Sequence, residues 1–135
     1  MYSGMQDLWS HYAHFYGGAN DLEEQQRLFV AEFLAHKEGD LIEFACGNGK
    51  VISDIRGAGF TGNILWVDYN KEMIEVARAR LPNESFLQGD ILQAETFLPK
   101  KKYDYVICLN SLHNLPNKEM IFAFLQTMKE YTKDW

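Results

Sequence analysis

The stretch Leu41-Ile42-Glu43-Phe44-Ala45-Cys46-Gly47-Asn48-Gly49, followed by Lys50-Val51-Ile52-Ser53-Asp54-Ile55, decides how the chain is read. A short, mostly apolar run feeds a pair of glycines, and Val51, Ile52 and Ile55 then recur at helical spacing up to Gly57. Strand, glycine turn and helix follow from that change of period. Downstream the same alternation continues. Ile64-Leu65-Trp66-Val67 is a second apolar run ended by Asp68, and Asn70 caps a helix in which Met73, Ile74, Ala77 and Leu81 face inward before Pro82 stops it. Glu72 and Glu75 early in that helix and Arg78 and Arg80 near its end follow the order the helix dipole favours. Ser85-Phe86-Leu87 before Gly89-Asp90 reads as a third strand and Tyr105 to Leu109 as a fourth, and Ile121, Phe124, Leu125 and Met128 mark a last helix from Asn117. Continuous apolar strands alternating with helices predict a doubly wound α/β fold, a Rossmann-like, mostly parallel sheet with helices on both faces.

Upstream of residue 40 the period is helical. Met5, Leu8, Trp9, Tyr12 and Phe15 form one stripe that stops at Gly17-Gly18. A second helix is predicted from Asp21 as N-cap with Glu24 three positions on, carrying Phe29, Val30, Phe33 and Leu34 on one face before Gly39. With 135 residues, 47% apolar content and no repeat or linker, the chain is predicted to form one domain, with N-terminal helices over 1–38 and a ligand-binding core over 40–135. Polar residues within the first twenty positions argue against a signal peptide, and no apolar run is long enough to span a bilayer, so a cytoplasmic protein without membrane association is expected. Thirteen Lys and Arg against nineteen Asp and Glu leave a net charge of -6, which argues against general nucleic-acid binding. Cys46 and Cys108 suggest neither a disulfide framework nor a zinc site, and no metal is expected.

In such sheets ligands bind beyond the carboxyl ends of the strands. The unusual residues fall there: Glu43 to Gly49, Asp68, Gly89-Asp90, and Asn110 to Asn114. Gly47 and Gly49 are expected to let the backbone approach a ligand, and the following helix aims N–H groups at it. Asp68 comes nineteen residues after Gly49, the spacing at which a carboxylate reaches a ribose diol. A dinucleotide fingerprint would need glycine where Ile52 stands, and the phosphate-cradling loop that ends in Gly-Lys-Ser/Thr is absent.

The run Glu43 to Gly49 resembles the first motif of the class I S-adenosylmethionine-dependent methyltransferases, an acidic residue followed by a glycine-rich turn, with Ala45 in place of the first glycine. Trp66 to Ile74 with Ala77-Arg78, Gly89-Asp90-Ile91, and Tyr103 to Ile107 with Leu112 to Leu115 are similar to the later motifs, in the family's order. The resemblance implies S-adenosylmethionine as cofactor, Asp68 on its ribose, Asp90 on its adenine amino group and Ile91 packed at the ring. Glu43, Ala45, Cys46, Gly47, Asn48, Gly49, Tyr69, Met73, Gly89 and Asn110 complete the expected cofactor-binding set. Acidic groups suit a sulfonium and an ammonium better than a triphosphate.

Direct in-line methyl transfer needs positioning and exclusion of water more than a covalent residue. His113 and Tyr16 are the catalytic candidates, and each also has a purely structural reading. His113 is a base, a substrate contact or a loop residue bonded to backbone, and Trp9, Tyr12 and Tyr16 are a lid or ordinary core. His11 and His14 lack a third metal ligand in sequence. Asn110-Ser111-Leu112-His113 differs from the Asn/Asp-Pro-Pro-Tyr/Phe run of relatives that methylate base amino groups, which favours a small-molecule acceptor, with protein side chains as the alternative. Family members have about seven strands, whereas this sequence stops at Asp134-Trp135, after the helix that follows the fourth. The expectation is a fourth strand at a sheet edge, paired or covered in a homodimer, completed in a longer polypeptide, or left in a naturally reduced form. A module that holds the cofactor or its demethylated product without turnover is the alternative function.

Overall fold

The computed structural model describes Ser10 and residues 21–135. The expected first helix, with Trp9, His11, Tyr12, His14 and the candidate Tyr16, lies outside the described residues apart from Ser10. In chain order the elements are helix α1 (Asp21–Leu34), strand β1 (Asp40–Phe44), helix α2 (Lys50–Gly57), strand β2 (Asn63–Asp68), helix α3 (Lys71–Arg80), strand β3 (Ser85–Gln88), a 3-10 segment (Ile91–Thr96), strand β4 (Tyr105–Ile107), a 3-10 turn (Leu112–Asn114) and helix α4 (Lys118–Tyr131).

The four strands form one parallel sheet in the order β3-β2-β1-β4. Strand order therefore reverses between β1 and β4. Ile42 and Phe44 alternate with Leu41 along β1, so successive side chains enter opposite layers. Leu41, Ile64, Trp66 and Phe86 pack with Ala31 and Leu34 of α1, Ile52 and Ile55 of α2, and Ile74 and Ala77 of α3. Ile42, Phe44 and Val67 pack with Ile91, Ala94, Leu98, Tyr103 and Phe124. Phe44 meets the rings of Phe124 and Tyr131 edge-on at centroid separations of 6.2 and 6.3 Å.

Helix starts follow local capping chemistry. Asn70 Oδ1 accepts from Met73 N at 2.9 Å, and Asn117 Oδ1 accepts from Met120 N at 2.9 Å. Two expectations need correction. On α1, Phe29 and Phe33 are 69% and 56% exposed, while Arg27, Ala31 and Leu34 are buried, so the inward face is rotated away from the apolar stripe. Strand β4 ends at Ile107 and does not reach Leu109. Between β3 and β4, where the sequence reading names no helix, the crossover is a kinked 3-10 segment.

Candidate functional site

At the carboxyl ends of β1 and β4, where strand order reverses, the structure opens a cleft. Ala45, Cys46, Gly47, Asn48, Asp68, Tyr69, Met73, Gly89, Asp90, Ile91 and Asn110 all line it. Glu43, Gly49 and His113 do not. Residues that the sequence reading missed contribute as well: Glu23 and Arg27 from α1, Lys50 and Val51 from the start of α2, and Phe124 on the far side, where Ser111, Asn114 and Leu115 come from the stretch singled out after the fourth strand. For Glu23 and Arg27 a signal existed, since they stand four apart and share a helix face.

The turn after β1 is the most constrained backbone in the site. Ala45 has φ 60° and Gly47 φ 58°, both left-handed, and Gly49 has φ 92°. The family's glycine at the position of Ala45 thus has a backbone reason, because a left-handed alanine costs on the order of 1–2 kcal/mol. Gly47 and Gly49 have different roles. A Cβ built on Gly47 meets nothing within 4 Å and faces the cleft. One built on Gly49 comes within 3.3 Å of Leu81 Cδ1 and 3.4 Å of Ala77 Cβ, so Gly49 serves the packing of α2 against α3. Gly89 is glycine because a side chain there would overlap the Phe97 ring.

Asp68 organises the centre of the site. Its Oδ2 accepts from Gly47 N at 2.8 Å and its Oδ1 from Asn70 N at 2.8 Å, tying the tip of β2 to the glycine turn and to the start of α3. Burial raises its pKa above the ordinary carboxylate value, opposed by these backbone donors. Each oxygen keeps acceptor capacity for a further donor. Asp90 begins the 3-10 segment, its Oδ1 accepting from Leu92 N at 3.0 Å. Asn110 turns the chain away from β4 at φ 53°, a conformation its short polar side chain tolerates.

Glu43 is the anomaly. It is 1% exposed, and neither carboxylate oxygen has a hydrogen-bond partner. Burial, and next the Asp68 carboxylate, push its pKa well above the usual range. The neighbouring thiols respond to the same setting: burial raises Cys46 well above its ordinary value and Cys108 to about 12, so both are protonated and unreactive at neutral pH. At the rim, Ser10 Oγ donates to Glu72 Oε2 at 2.8 Å and accepts from Asn70 Nδ2 at 3.0 Å. Among the described residues no cluster of three or more His, Cys, Asp or Glu is arranged to hold a metal, and no helix is long and apolar enough to cross a membrane.

An open glycine, with the acidic residues Asp68 and Asp90 at two strand tips, suits a cationic nucleoside-type ligand lying across the turn. Comparison with known proteins agrees with this geometry. Residues 41–134 match the family described as Methyltransferase domain. The chain is 33% identical over 100 residues to the protein named "Putative methyltransferase 235L" of Invertebrate iridescent virus 6, covering 74% of this chain and 37% of that protein. It is 28% identical over 106 residues to the malonyl-[acyl-carrier protein] O-methyltransferase of Halalkalibacterium halodurans, covering 70% of this chain and 39% of that one. It therefore spans well under half the length of these curated relatives. Among solved structures, the magnesium protoporphyrin IX methyltransferase of Synechocystis with bound S-adenosylmethionine superposes with a TM-score of 0.72 at 19% identity, covering 98% of this chain and 69% of that one, a likeness of fold.

Proposed function

The chain belongs to the methyltransferase-domain family, and from that premise we propose that it binds S-adenosylmethionine in the cleft and transfers a methyl group directly to a small-molecule acceptor. The observation that carries this reading is Asp68, a carboxylate at the tip of β2 beside the open face of Gly47. Asp68 accepts from the ribose hydroxyls with the lone pairs its two backbone donors leave over. Asp90 takes the adenine amino group, Ile91 and Met73 flank the ring, and Tyr69 covers the nucleoside. The sulfonium supplies an activated methyl group with a good leaving group when bound. Leu115 and Phe124 keep water from the transfer path. Ser111 and Asn114 orient the acceptor. His113 is exposed and outside the cleft, which disfavours it as a base.

The test is calorimetry with S-adenosylmethionine and S-adenosylhomocysteine. Asp68→Ala is expected to weaken binding by about 1.5–3 kcal/mol, the loss of hydrogen bonds to a charged group. Unchanged affinity would show that the ribose is held elsewhere. A second reading is a module that holds the cofactor or its product in the same cleft without turnover. Formation of S-adenosylhomocysteine only on adding an acceptor decides between the two. Among the described residues β4 itself pairs only with β1, while just before it Tyr103 bridges Thr132 of the chain's own C-terminal segment, which leaves the edge of residues 105–107 for a further strand, from a second copy of the chain or from a longer polypeptide. The unpaired thiols fit a cytoplasmic setting.

A further inference from the structure

The outward face of α1 is apolar where a surface helix is ordinarily polar. Leu22, Phe29 and Phe33 stand at i, i+7 and i+11, with Gln26 at i+4, which puts all four on one side of the helix. The three apolar side chains are each more than half exposed, while Arg27, Ala31 and Leu34 take the inward side. Beside the stripe, Gln25, Gln26, Phe29 and Val30 form one wall of a groove whose other wall is Leu109 and Asn110, at the end of β4. Val30, Tyr105 and Ile107 border the same core cluster and are only half-buried, although β4 is an apolar, proline-free strand of the kind normally enclosed.

This flank is complementary to itself. A two-fold axis normal to the sheet lays two α1 helices antiparallel with Phe29 near the axis, so the rings of one copy face those of the other. Lys37 follows the end of α1 and its Nζ sits over the Phe33 ring at 4.9 Å. The antiparallel arrangement turns that cation toward the acidic first turn of the other α1, with Glu23 and Glu24, and sets the two helix dipoles in opposition. Leu22, Phe29 and Phe33, with Val30 and Leu109 beside them, offer about 400–500 Å² per copy, so two copies bury close to the roughly 1,000 Å² that a specific interface needs. Ser10 is bonded to Asn70 and Glu72 at the start of α3, and Thr132 bridges Tyr103, so neither covers the stripe.

We propose that the outer face of α1, with the groove between it and the end of β4, is a homodimer surface on which Phe29 and Phe33 pack against the same residues of a second copy. Leu109 and Asn110 line both the groove and the cleft, so the second copy also braces that wall of the site. The test is sedimentation equilibrium of the full chain from about 1 to 200 μM, without cofactor, so its failure leaves the reading of the cleft untouched. Wild type is expected to be a dimer at the upper end of that range. Phe29→Gln and Phe33→Gln are each expected to weaken association at least about 10-fold, since every substitution enters a two-fold seam twice. Phe122→Gln removes a comparably exposed ring from α4 and is expected to leave association within about twofold. Circular dichroism checks the fold of each variant, and if one of the α1 variants fails to fold, the other carries the same comparison with the same outcomes. Wild type that stays monomeric across the range overturns the proposal, as does a dimer that ignores Phe29 and Phe33 or loses as much on Phe122→Gln.

Discussion

The two ends of the sheet are built by opposite rules. At the amino end, Asp104 Oδ2 accepts from Asp40 N at 2.8 Å and its Oδ1 takes Lys133 Nζ at 2.9 Å, while Asp40 is bonded to Asn63 Nδ2 at 3.0 Å and Lys101 Nζ at 3.1 Å. Both of these carboxylates have partners and a lowered pKa, set for Asp40 first by Asn63 and for Asp104 first by the Asp40 N–H. At the carboxyl end, Glu43 is buried without a partner, Asp68 is raised by burial, and Ala45 and Asn110 hold left-handed backbone. One end is arranged for stability and the other tolerates local cost. That asymmetry is the physical mark of a site, because strain and unsatisfied charge persist only where the rest of the fold sustains them.

Three substitutions sharpen or break this contrast. The largest effect is expected at Glu43. Because its folded pKa is raised, the folded state binds more protons than the unfolded chain above the ordinary glutamate pKa, and stability falls as pH rises. Glu43→Gln should therefore raise the melting temperature at pH 8 by roughly 3 to 6 °C, about 1 kcal/mol in a domain of this size, and the gain should vanish near pH 4. A variant less stable than wild type at pH 8 would mean that the carboxylate is satisfied after all. Next comes Ala45→Gly, which relieves left-handed alanine and should stabilise by about 0.5–1 kcal/mol in urea unfolding. Destabilisation instead would place the cost elsewhere in the turn. The smallest effect belongs to the amino end. Asp104→Asn should lower stability slightly at neutral pH, with the deficit shrinking in high salt and disappearing as pH falls through the lowered Asp104 pKa in wild type. A loss that ignores salt would contradict the picture of screened surface pairs.

Much of this was legible in the sequence. Leu41 to Gly49 and Ile64 to Asp68 announce buried parallel strands because both faces of each must be apolar, and the glycines and Asp68 mark where they end. What could not be read was tertiary in origin. Arg27 turns inward because Asp54 on the next helix receives it, and this rotates Phe29 and Phe33 into solvent against the apolar stripe. Gly49 looks like its neighbour Gly47 in sequence, and only the approach of Leu81 and Ala77 separates their purposes. Glu43 was expected at the ligand as a lining residue, but alternation along β1 puts its side chain in the layer beneath.

The pairing of β4 carries a consequence for how the molecule assembles and breathes. Leu41 joins Ile64 on one side and the far more distant Tyr105 on the other, and the second junction spans only three residues. Closing the longer loop costs more chain entropy for fewer ladder bonds, so this seam is expected to open more readily than the one between β1 and β2. Asn110 and Ser111 depart directly from that seam, and amide exchange should be fastest there while β1 and β2 stay protected. The wall of the cleft formed by Asn110 and Ser111 can loosen and reseal without disturbing the half formed by Gly47, Asp68 and Asp90.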